Sequence, residues 1–431
     1  MTCGDSSPPQ PSRAPIRERP DVVVTGIGAV SGYGWSAHDL ERGLRAGPCI
    51  GSPRRFDVSG HRTALVAEVP AAPEQVRQRL GEAAGGSGGV RSSRADRFAL
   101  AAAHEALAQA GLEAEGDWSG RAGVFFSGST AGMAEAERYF FALLDDPSSR
   151  PRLRLTRGHT LNCPGDAVAR RFAVRGRVLT ISSACSSGSL AFVSALRCLR
   201  RGEVDVALVG GADGLCQLTY AGFNALRAVD ERPCRPFRAT RSGLSLGEGA
   251  AVLVLERVED AERRGATPRA RLLGAAGSCD AHHMTAPEPG GEGAAAAIRA
   301  ALADAGREPE GVDFVNAHGT GTQHNDIAEW RALESVFGPA AATLPVTSTK
   351  SGLGHLLGAA GAIEAVATIL CLARGELHPT WGAGPVDDEI GVDLVREQPR
   401  EIPRGGCAVS TNLAFGGANA AVVLAGATES A

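Results

Sequence analysis

The stretch VLTISSACSSGSLAF, residues 178–192, runs from a β-branched apolar segment through a group of small residues into a helical pattern, with Cys185 at its centre. A strand followed directly by a helix is typical of α/β proteins. A residue on such a turn is pushed outward, and small neighbours let a carbonyl group approach it. The helix begins near Ser187, so its free N–H groups and positive end favour thiolate over thiol. We therefore interpret Cys185 as a nucleophile; a small cysteine buried at a packed turn is the alternative.

The rest of the chain alternates short apolar runs with amphipathic helical patterns, which predicts an α/β fold with buried sheets. Six runs predict strands: DVVVTGI from Asp21, AGVFFSG from Ala122, VDVALVGGA from Val204, AAVLVLE from Ala250, VDFVNAHG from Val312 and GCAVSTNLAF from Gly406. Two helical patterns, at 97–112 and 292–306, end at or beside a glycine, as helices commonly do.

Two pairs of similar segments indicate an internal duplication. ALAQAG at 106–111 resembles ALADAG at 301–306, and LRCLRRGEV at 196–204 resembles LCLARGEL at 370–377, in the same order. Chance similarity between alanine-rich helices is the weaker alternative, so we predict two related halves, at 21–262 and 263–428. Upstream of the second segment lies Cys185 in one half and Lys350 with His355 in the other. Halves packed about a pseudo-twofold axis would bring these turns into one active site.

Composition excludes several classes of function. The chain has 431 residues, 43% hydrophobic and 21% charged, with a net charge of −4, so we expect no nucleic-acid partner. No run reaches the roughly 18 apolar residues that a membrane helix needs, so we expect no membrane contact. Residues 1–20 hold five prolines and no apolar segment, which predicts a disordered tail, not a signal peptide, and a cytoplasmic protein. None of the ten cysteines forms a C-x-x-C pattern, so we expect no metal and read most cysteines as small buried hydrophobes.

Two further motifs carry candidate site residues. VNAHGTGTQHND, residues 315–326, ends an apolar run at His318, the position where ligands collect in α/β folds, although a loop histidine that caps something is an even alternative. In TSTKSGLGHLLGAAGAIEA, residues 347–365, Lys350 and His355 flank a glycine turn and Glu364 follows on an apolar helix. A carboxylate there needs a partner if it is buried, and Lys350 is the obvious one.

A fourth motif adds a candidate site residue, and two other patterns point to a different kind of site, for a dinucleotide or for a metal. In NLAFGGANAAVVL, residues 412–424, Phe415 precedes Gly416 and Gly417, which suits a flexible turn that places a ring near the site; a core aromatic is equally compatible. The glycines of VVVTGIGAVSG resemble a dinucleotide fingerprint, but the acidic residue about 20 positions on is missing. Neighbouring His282 and His283 project to opposite sides of an extended chain, which disfavours a metal site.

In combination these motifs resemble the β-ketoacyl-acyl carrier protein synthases of the thiolase superfamily, and more specifically their elongating Cys-His-His class. The resemblance covers nearly the whole chain after the tail and is carried by SSACSSG, RPF, LGEGAAVLVLE, DAHHMTAP, NAHGTGTQHND, TKSGLGHLLGAAGAIEA and NLAFGGAN. It implies a five-layered αβαβα fold and a dimer, made with itself or with a homologous chain-length-factor subunit. It also implies the decarboxylative condensation of a malonyl thioester with an acyl chain on Cys185, in fatty acid or type II polyketide, including polyene, biosynthesis.

The resemblance also implies roles for individual residues. His318 and His355 should bind the malonyl carbonyl, with Lys350 and Glu364 ordering them. The N–H groups of Cys185 and Phe415 should form an oxyanion hole, and the Phe415 ring should gate the second substrate. Residues expected to hold the substrate arm are Thr285, Thr320, Thr322, Gly416 and Gly417.

The implied partner is an acidic acyl carrier protein, whose phosphopantetheine arm carries the substrates, so that no separate cofactor is expected. Arg227 falls where the family places a docking arginine, and Arg200 and Arg201 are further candidates. Two alternatives stay open: a non-elongating acyltransferase of the same superfamily, and a silent partner subunit that sets chain length. The presence of Cys185, His318 and His355 argues against the silent partner.

Overall fold

The computed structural model describes residues 20–81, 92–112 and 116–427. The strands are β1 (Val22–Val30), β2 (Val66–Ala67), β3 (Ala122–Ser127), β4 (Val178–Ile181), β5 (Val206–Asp213), β6 (Leu246–Gly247), β7 (Gly249–Arg257), β8 (Ala270–Cys279), β9 (Phe314–Asn316), β10 (Pro345–Thr347), β11 (Glu376–Leu377), β12 (Asp393–Leu394), β13 (Arg400–Glu401), β14 (Cys407–Leu413) and β15 (Ala418–Gly426). The helices are α1 (Ala37–Ala46), α2 (Glu74–Arg79), α3 (Arg94–Ala110), α4 (Met133–Asp145), α5 (Cys163–Arg171), α6 (Ser187–Arg200), α7 (Gln217–Ala225), α8 (Val258–Arg263), α9 (Glu292–Ala305), α10 (Gln323–Phe337), α11 (Lys350–Leu353) and α12 (Ala360–Arg374). The tail predicted at 1–20 lies, apart from its last residue, outside the described residues.

The large mixed sheet repeats one strand pattern twice. Its order is β12-β10-β9-β14-β15-β8-β1-β7-β5-β3-β4. From β1 outward the order β1-β7-β5-β3-β4 has two antiparallel pairs and then two parallel pairs, and β8-β15-β14-β9-β10 has the same sequence of pairings. The two copies join where β1 pairs with β8. The predicted α/β fold with two related halves is thus confirmed, while the division at 262/263 stays an interpretation and falls inside α8.

The helices complete five layers. Helices α6 and α12 contact strands of both halves and contact each other, so they form the central layer. Helix α3 covers the outer face of the first half and α9 that of the second. Small residues permit the close central contact: a Cβ on Gly188 of α6 would lie 2.7 Å from the Ala362 nitrogen of α12. The αβαβα arrangement therefore places the N-terminal ends of α6 and α12 side by side.

Two glycines of β1, Gly26 and Gly28, allow a helix to pack closely against this strand. A Cβ on Gly26 would lie 1.9 Å from the Ala106 carbonyl oxygen of α3, and one on Gly28 would lie 2.0 Å from that of Ala102. These glycines let α3 lie directly on β1, which accounts for the pattern that resembles a dinucleotide fingerprint.

One apolar stretch reaches the length of a membrane helix, contrary to the expectation from the sequence. Within the described part of the chain, Leu357–Arg374 has a mean hydropathy of 1.6 over 18 residues, enough by length and composition for a membrane span. Of this window 83% is buried inside the protein, as the α12 core helix. Its apolar character thus reflects the central layer.

Candidate active site

Cys185 occupies a sharp turn between β4 and α6. The preceding residue, Ala184, has φ 46°, a left-handed conformation that is rare for residues other than glycine. Ser187 fixes the turn, because its Oγ accepts a hydrogen bond from the Ser183 N–H at 2.7 Å and donates one to the Ala184 carbonyl at 2.5 Å. The turn directs Cys185 into a cavity while the side chain stays 7% exposed.

The structure brings Cys185, His318 and His355 together from three different segments. Their sulfur and ring-nitrogen atoms lie within 4.8 Å of one another. The two imidazole rings meet edge to face, with centroids 5.3 Å apart and an interplanar angle of 84°. All three side chains are buried yet line the same cavity of about 530 Å³. A substrate atom in this cavity can therefore contact a thiol and two imidazoles at once.

His318 lies just after β9, and the Glu329 carboxylate holds its backbone in place. The N–H groups of His318 and Gly319 donate to the Glu329 carboxylate at 2.7 and 2.8 Å. Burial raises the pKa of Glu329 to about 7, although these hydrogen bonds oppose the rise. Burial, then the charge of Lys350 and the neighbouring His355, hold the pKa of His318 well below its usual range. The ring is therefore neutral at pH 7.

His355 lies in the turn between α11 and α12. Its Nδ1 accepts a hydrogen bond from the Leu357 N–H at 3.1 Å, which leaves the ring proton on Nε2. This Nε2 is buried and has no hydrogen-bond partner among the described residues. Burial and Lys350 hold the pKa of His355 well below its usual range. A buried donor without a partner is costly, and because His355 lines the cavity, its Nε2–H is available to a ligand there.

Lys350 and Glu364 form a buried ion pair behind the two histidines. Lys350 Nζ lies 2.5 Å from Glu364 Oε1, and the other carboxylate oxygen accepts from the Asn412 amide at 2.7 Å. Burial raises the pKa of Glu364, and Lys350 opposes the rise. The predicted pairing is therefore present, with neither residue lining the cavity.

The thiol of Cys185 differs from the thiolate that the sequence favoured. Burial raises its pKa to about 11, which outweighs the opposing influence of Lys350 and of the Phe415 N–H that points at the sulfur. Desolvation disfavours the charged form. The expected preference for thiolate in the resting protein is wrong: helix α6 does begin at Ser187, but burial of the sulfur outweighs the influence of the helix terminus.

Phe415 lines the same cavity as Cys185, and its backbone N–H points at the sulfur. Its ring stacks on Phe223 of α7, with centroids 5.9 Å apart and an interplanar angle of 21°. Gly416 and Gly417 follow with φ 85° and 75°, and Gly416 donates its N–H to the Met284 carbonyl at 2.7 Å. One aromatic contact and one hydrogen bond thus hold the ring at the cavity wall.

The cavity runs from the sulfur to the protein surface. Thr285, Thr320 and Thr322 line it, whereas Gly416 and Gly417 do not and serve the turn instead. Arg227 and Arg62 lie at its wall, and Arg227 is exposed. The hydroxyl groups thus extend from buried Thr320 to exposed Thr285, and Arg227 adds positive charge at the surface.

The other candidate docking arginines are engaged elsewhere. Arg200 binds the Asp304 carboxylate at 2.9 Å and the Leu273 carbonyl at 2.8 Å, so its guanidinium holds α6 to the second half. Arg201 lies 3.8 Å from Glu203 on an exposed surface. Neither residue lines the cavity, and Arg200 is better explained as a structural contact.

Sequence reasoning missed the residues that hold the site from behind. Asn412 begins the motif that contains Phe415, and Glu329 lies in α10, the helix that follows His318. The sequence analysis predicted a role for neither residue. Asp213 accepts N–H bonds from Ser129 at 2.8 Å and from Gly358 at 2.8 Å, joining the two halves beside the His355 turn. Isolated polar residues within apolar runs were the available signal, since a buried polar group needs partners.

The same thiol and imidazoles are also ligand types that zinc prefers. They form the one group of this kind found in residues 20–81, 92–112 and 116–427. The strained turn and the Phe415 N–H directed at the sulfur favour a nucleophile. The expectation of no metal stays a prediction.

Comparison with known proteins assigns the family. The chain matches the family described as beta-ketoacyl synthase, its N-terminal domain over residues 19–261 and its C-terminal domain over residues 269–383. It is 36% identical to nodulation protein E of Rhizobium meliloti (strain 1021), over 93% of this chain and 97% of that protein. It is 34% identical to 3-oxoacyl-[acyl-carrier-protein] synthase 2 of Staphylococcus aureus (strain N315), over 93% and 97%.

Solved structures of ketosynthases superpose on nearly the whole chain and support the same family assignment. The ishigamide ketosynthase/chain length factor superposes with a TM-score of 0.86 at 34% identity, covering 95% of this chain and 99% of that one. The AntDE:AntF complex, a type II PKS acyl-carrier protein with its ketosynthase bound to the hexaketide, gives 0.83 at 28% identity, covering 95% and 100%. With a strained turn at Cys185, two converging imidazoles and family matches across both halves, the chain belongs to the beta-ketoacyl synthase family.

Proposed function

We propose that the chain is a 3-oxoacyl-[acyl-carrier-protein] synthase that extends an acyl chain held on Cys185 by two carbons. The observation that carries the proposal is the convergence of the Cys185 sulfur with His318 and His355 in one cavity. The Staphylococcus relative is named for this activity. The resemblance in sequence and the geometry of the site support the same chemistry.

In the first step the acyl group moves from the carrier protein to the enzyme. The Cys185 sulfur bonds to the thioester carbonyl carbon, the bond to the carrier sulfur breaks, and the thiol proton leaves on the released carrier thiol. Negative charge collects on the carbonyl oxygen during attack. The N–H groups of Cys185 and Phe415 would stabilise this oxygen, and the Phe415 N–H already faces the sulfur.

In the second step malonyl-carrier protein loses CO₂. The bond between the carboxyl carbon and the adjacent carbon breaks, and its electron pair forms an enolate. Neutral imidazoles with Nε2–H groups stabilise the enolate oxygen as its charge grows. The enolate carbon then bonds to the carbonyl carbon of the Cys185 thioester, and the carbon–sulfur bond to Cys185 breaks. This yields the 3-oxoacyl product, and the expelled thiolate takes up a proton from solvent, which restores the thiol.

Lys350 and Glu364 act as positioning residues. Their ion pair is fully buried and connects through Asn412 to His318. Burial, with the positive charge of Lys350 as the second cause, lowers the pKa of both histidines, so that the rings are neutral for the second step.

An acyl carrier protein is the proposed partner, and no separate cofactor is needed because its phosphopantetheine arm carries the acyl groups. Thr285, Thr320 and Thr322 would hold this arm along the cavity wall. Exposed Arg227 would attract the acidic carrier, which gives orientation and association rate more than affinity. A related ketosynthase has been solved with its acyl-carrier protein.

The outer strand β4 supports the proposed dimer. It ends the described sheet, and Val178 and Leu179 are 39% and 38% exposed there. An exposed apolar edge is a template for another strand. A second copy, or a homologous chain-length-setting subunit, would cover it, and a relative has been solved as a ketosynthase/chain length factor. We place the enzyme in the cytoplasm; the nine cysteines that the structure describes are all free, as a reducing compartment favours.

The two alternatives have less support. A thiolase-type enzyme would need a second cysteine near the site, but Cys407 starts β14 whereas the residues near the sulfur lie past the strand's other end. A silent chain-length subunit has no use for the strained Cys185 turn.

Product analysis tests the proposal. Purified protein, alone and co-purified with any bound subunit, is incubated with malonyl-carrier protein and a panel of acyl-carrier proteins that includes saturated and polyene chains. We expect 3-oxoacyl products two carbons longer, absent for Cys185→Ser. The chain class that reacts fastest assigns fatty acid or polyketide synthesis. Acyl-carrier proteins returned unchanged by every preparation would contradict the proposal.

A further inference from the structure

Asn412 is the residue through which the parts of the site meet. It lies near the end of β14 and is fully buried. Its Oδ1 accepts from Ser189 Oγ at 2.5 Å, while its Nδ2 contacts Glu364 Oε2 at 2.7 Å and His318 Nδ1 at 3.3 Å. One amide therefore contacts the nucleophile helix, the buried ion pair and a site histidine.

The orientation of this amide is fixed by its charged neighbour. The Glu364 carboxylate, paired with Lys350, can only accept hydrogen bonds. The amide must therefore turn its NH₂ group toward Glu364, and Oδ1 then faces the Ser189 hydroxyl, which can donate. A flipped amide would put two acceptor oxygens against each other in a buried site.

The fixed NH₂ group in turn determines the tautomer of His318. The NH₂ group has two hydrogens, one for Glu364 and one for His318 Nδ1. A neutral imidazole that accepts at Nδ1 carries its proton on Nε2. His355 reaches the same tautomer by another route, since its Nδ1 accepts the Leu357 N–H. Both rings thus present Nε2–H groups.

Helix α12 packs closely against the oxygen end of this amide. A Cβ on Gly361 of α12 would lie 2.5 Å from Ser189 Oγ and 2.7 Å from Asn412 Oδ1. Helix α12 therefore closes directly over the Ser189–Asn412 hydrogen bond. This contact holds the amide in place from the side opposite the histidine.

We propose that Asn412 is a positioning residue that sets the Nε2–H tautomer of His318 and thereby makes the ring a donor for the enolate formed on decarboxylation. The proposal rests on the proposed function for its consequence, and on the three contacts of Asn412 for its cause. Acyl transfer to Cys185 uses backbone N–H groups, so it does not depend on this tautomer.

Two near-isosteric substitutions separate tautomer control from packing. In Asn412→Asp the oxygen that replaces the NH₂ group faces His318 as an acceptor, whether that carboxyl is ionised or donates its proton to Glu364. An acceptor at this position favours a proton on Nδ1 of His318, which the spectrum of the variant checks. In Asn412→Leu the volume is similar and neither tautomer is imposed.

The measurements are CO₂ release from malonyl-carrier protein, acyl-enzyme formation by intact mass, and the tautomer of His318 from two-bond ¹H–¹⁵N correlations. We expect Asn412→Asp to lower CO₂ release by about 10²–10³-fold, the usual loss for one donor to a developing oxyanion. Acyl-enzyme formation should fall less than about tenfold, and Asn412→Leu should lose less CO₂ release than Asn412→Asp. Asn162→Asp, on the exposed start of α5, is the control for the same change of residue type.

The outcomes distinguish this proposal from the function on which it rests. An Nδ1–H tautomer of His318 in the unaltered protein would overturn the role of Asn412, even if the enzyme condenses normally. Equal losses of acylation and CO₂ release in both variants would also overturn it, since that is the result of a merely structural role. Failure of the unaltered protein to form an acyl-enzyme would instead contradict the proposed function, whatever tautomer is found. The spectrum of the unaltered protein needs no variant to fold.

Discussion

Lys350 Nζ lies 2.5 Å from Glu364 Oε1, and both side chains are only 1% exposed. This ion pair lies in the interior of a molecule whose two halves each supply part of the site. The pair lies on α11 and α12, in the second half, while the nucleophile turn lies in the first. Because α6 and α12 pack together in the central layer, one buried ion pair can act on residues from both halves. The first prediction follows from its burial.

Removing the Glu364 carboxylate should lower the free energy of unfolding. In Glu364→Gln the buried Lys350 loses its counter-charge, and breaking a buried pair costs about 3–5 kcal/mol. Chemical denaturation measures this free energy of unfolding. Glu74→Gln, which breaks an exposed pair with Arg77, is the matched control and should cost less than about 1 kcal/mol. Equal losses for the two variants would contradict the importance of the buried pair.

The site histidines should make the folded protein less stable in mild acid, whereas Glu329, whose pKa burial raises to about 7, contributes the opposite slope. The pKa values of His318 and His355 lie well below the ordinary 6.5, so these rings stay neutral in the folded protein and take up protons only on unfolding. Their contribution is fully present above pH 6.5 and is lost as pH falls below it. Burial also lowers the pKa of His378 and of His104 to about 4, which adds to the same slope.

Urea unfolding between pH 5 and 7.5 measures this slope. The double variant His318→Gln with His355→Gln should have a shallower dependence of unfolding free energy on pH than the unaltered protein. An unchanged slope would show that these two rings titrate normally in the folded state.

The sulfur of Cys185 should react as a buried thiol. Since its pKa is raised to about 11, the rate of alkylation by iodoacetamide should rise about tenfold per pH unit from pH 8 to 10. Peptide mass spectrometry resolves Cys185 from exposed Cys279, which is the internal control. A rate for Cys185 that is already constant near pH 7 would restore the thiolate that the sequence favoured.

The contact between α6 and α12 should tolerate no added methyl group. A Cβ at Gly361 would lie 2.5 Å from the Ser189 backbone nitrogen, so Gly361→Ala should cost about 1–3 kcal/mol in unfolding free energy and lower activity. Gly222, also in a helix, has nothing within 4 Å of its Cβ position. Gly222→Ala should be neutral or stabilising by up to about 1 kcal/mol, since alanine favours helix. Thermal unfolding of the pair decides the matter.

The sequence was sufficient for the fold and for the residues that converge, and insufficient for what surrounds them. Short apolar runs located β3, β5 and β7 within two residues, because such a run is a local property of the sequence. The thiolate preference of Cys185 was wrong because a helix terminus can be read from sequence while desolvation depends on the packed neighbours. Asn412 was missed for the same reason: its three partners come from distant segments that only the fold brings together.

The most direct measurement of the central claim is a two-stage mass experiment on one sample. The protein is first incubated with acyl-carrier protein, and its intact mass and the modified peptide are determined. Malonyl-carrier protein labelled in its free carboxyl carbon is then added. We predict one acyl adduct on Cys185, which disappears in the second stage with release of labelled CO₂ and appearance of a 3-oxoacyl product. An adduct on another residue, or one on Cys185 that malonyl-carrier protein leaves in place, would contradict the account.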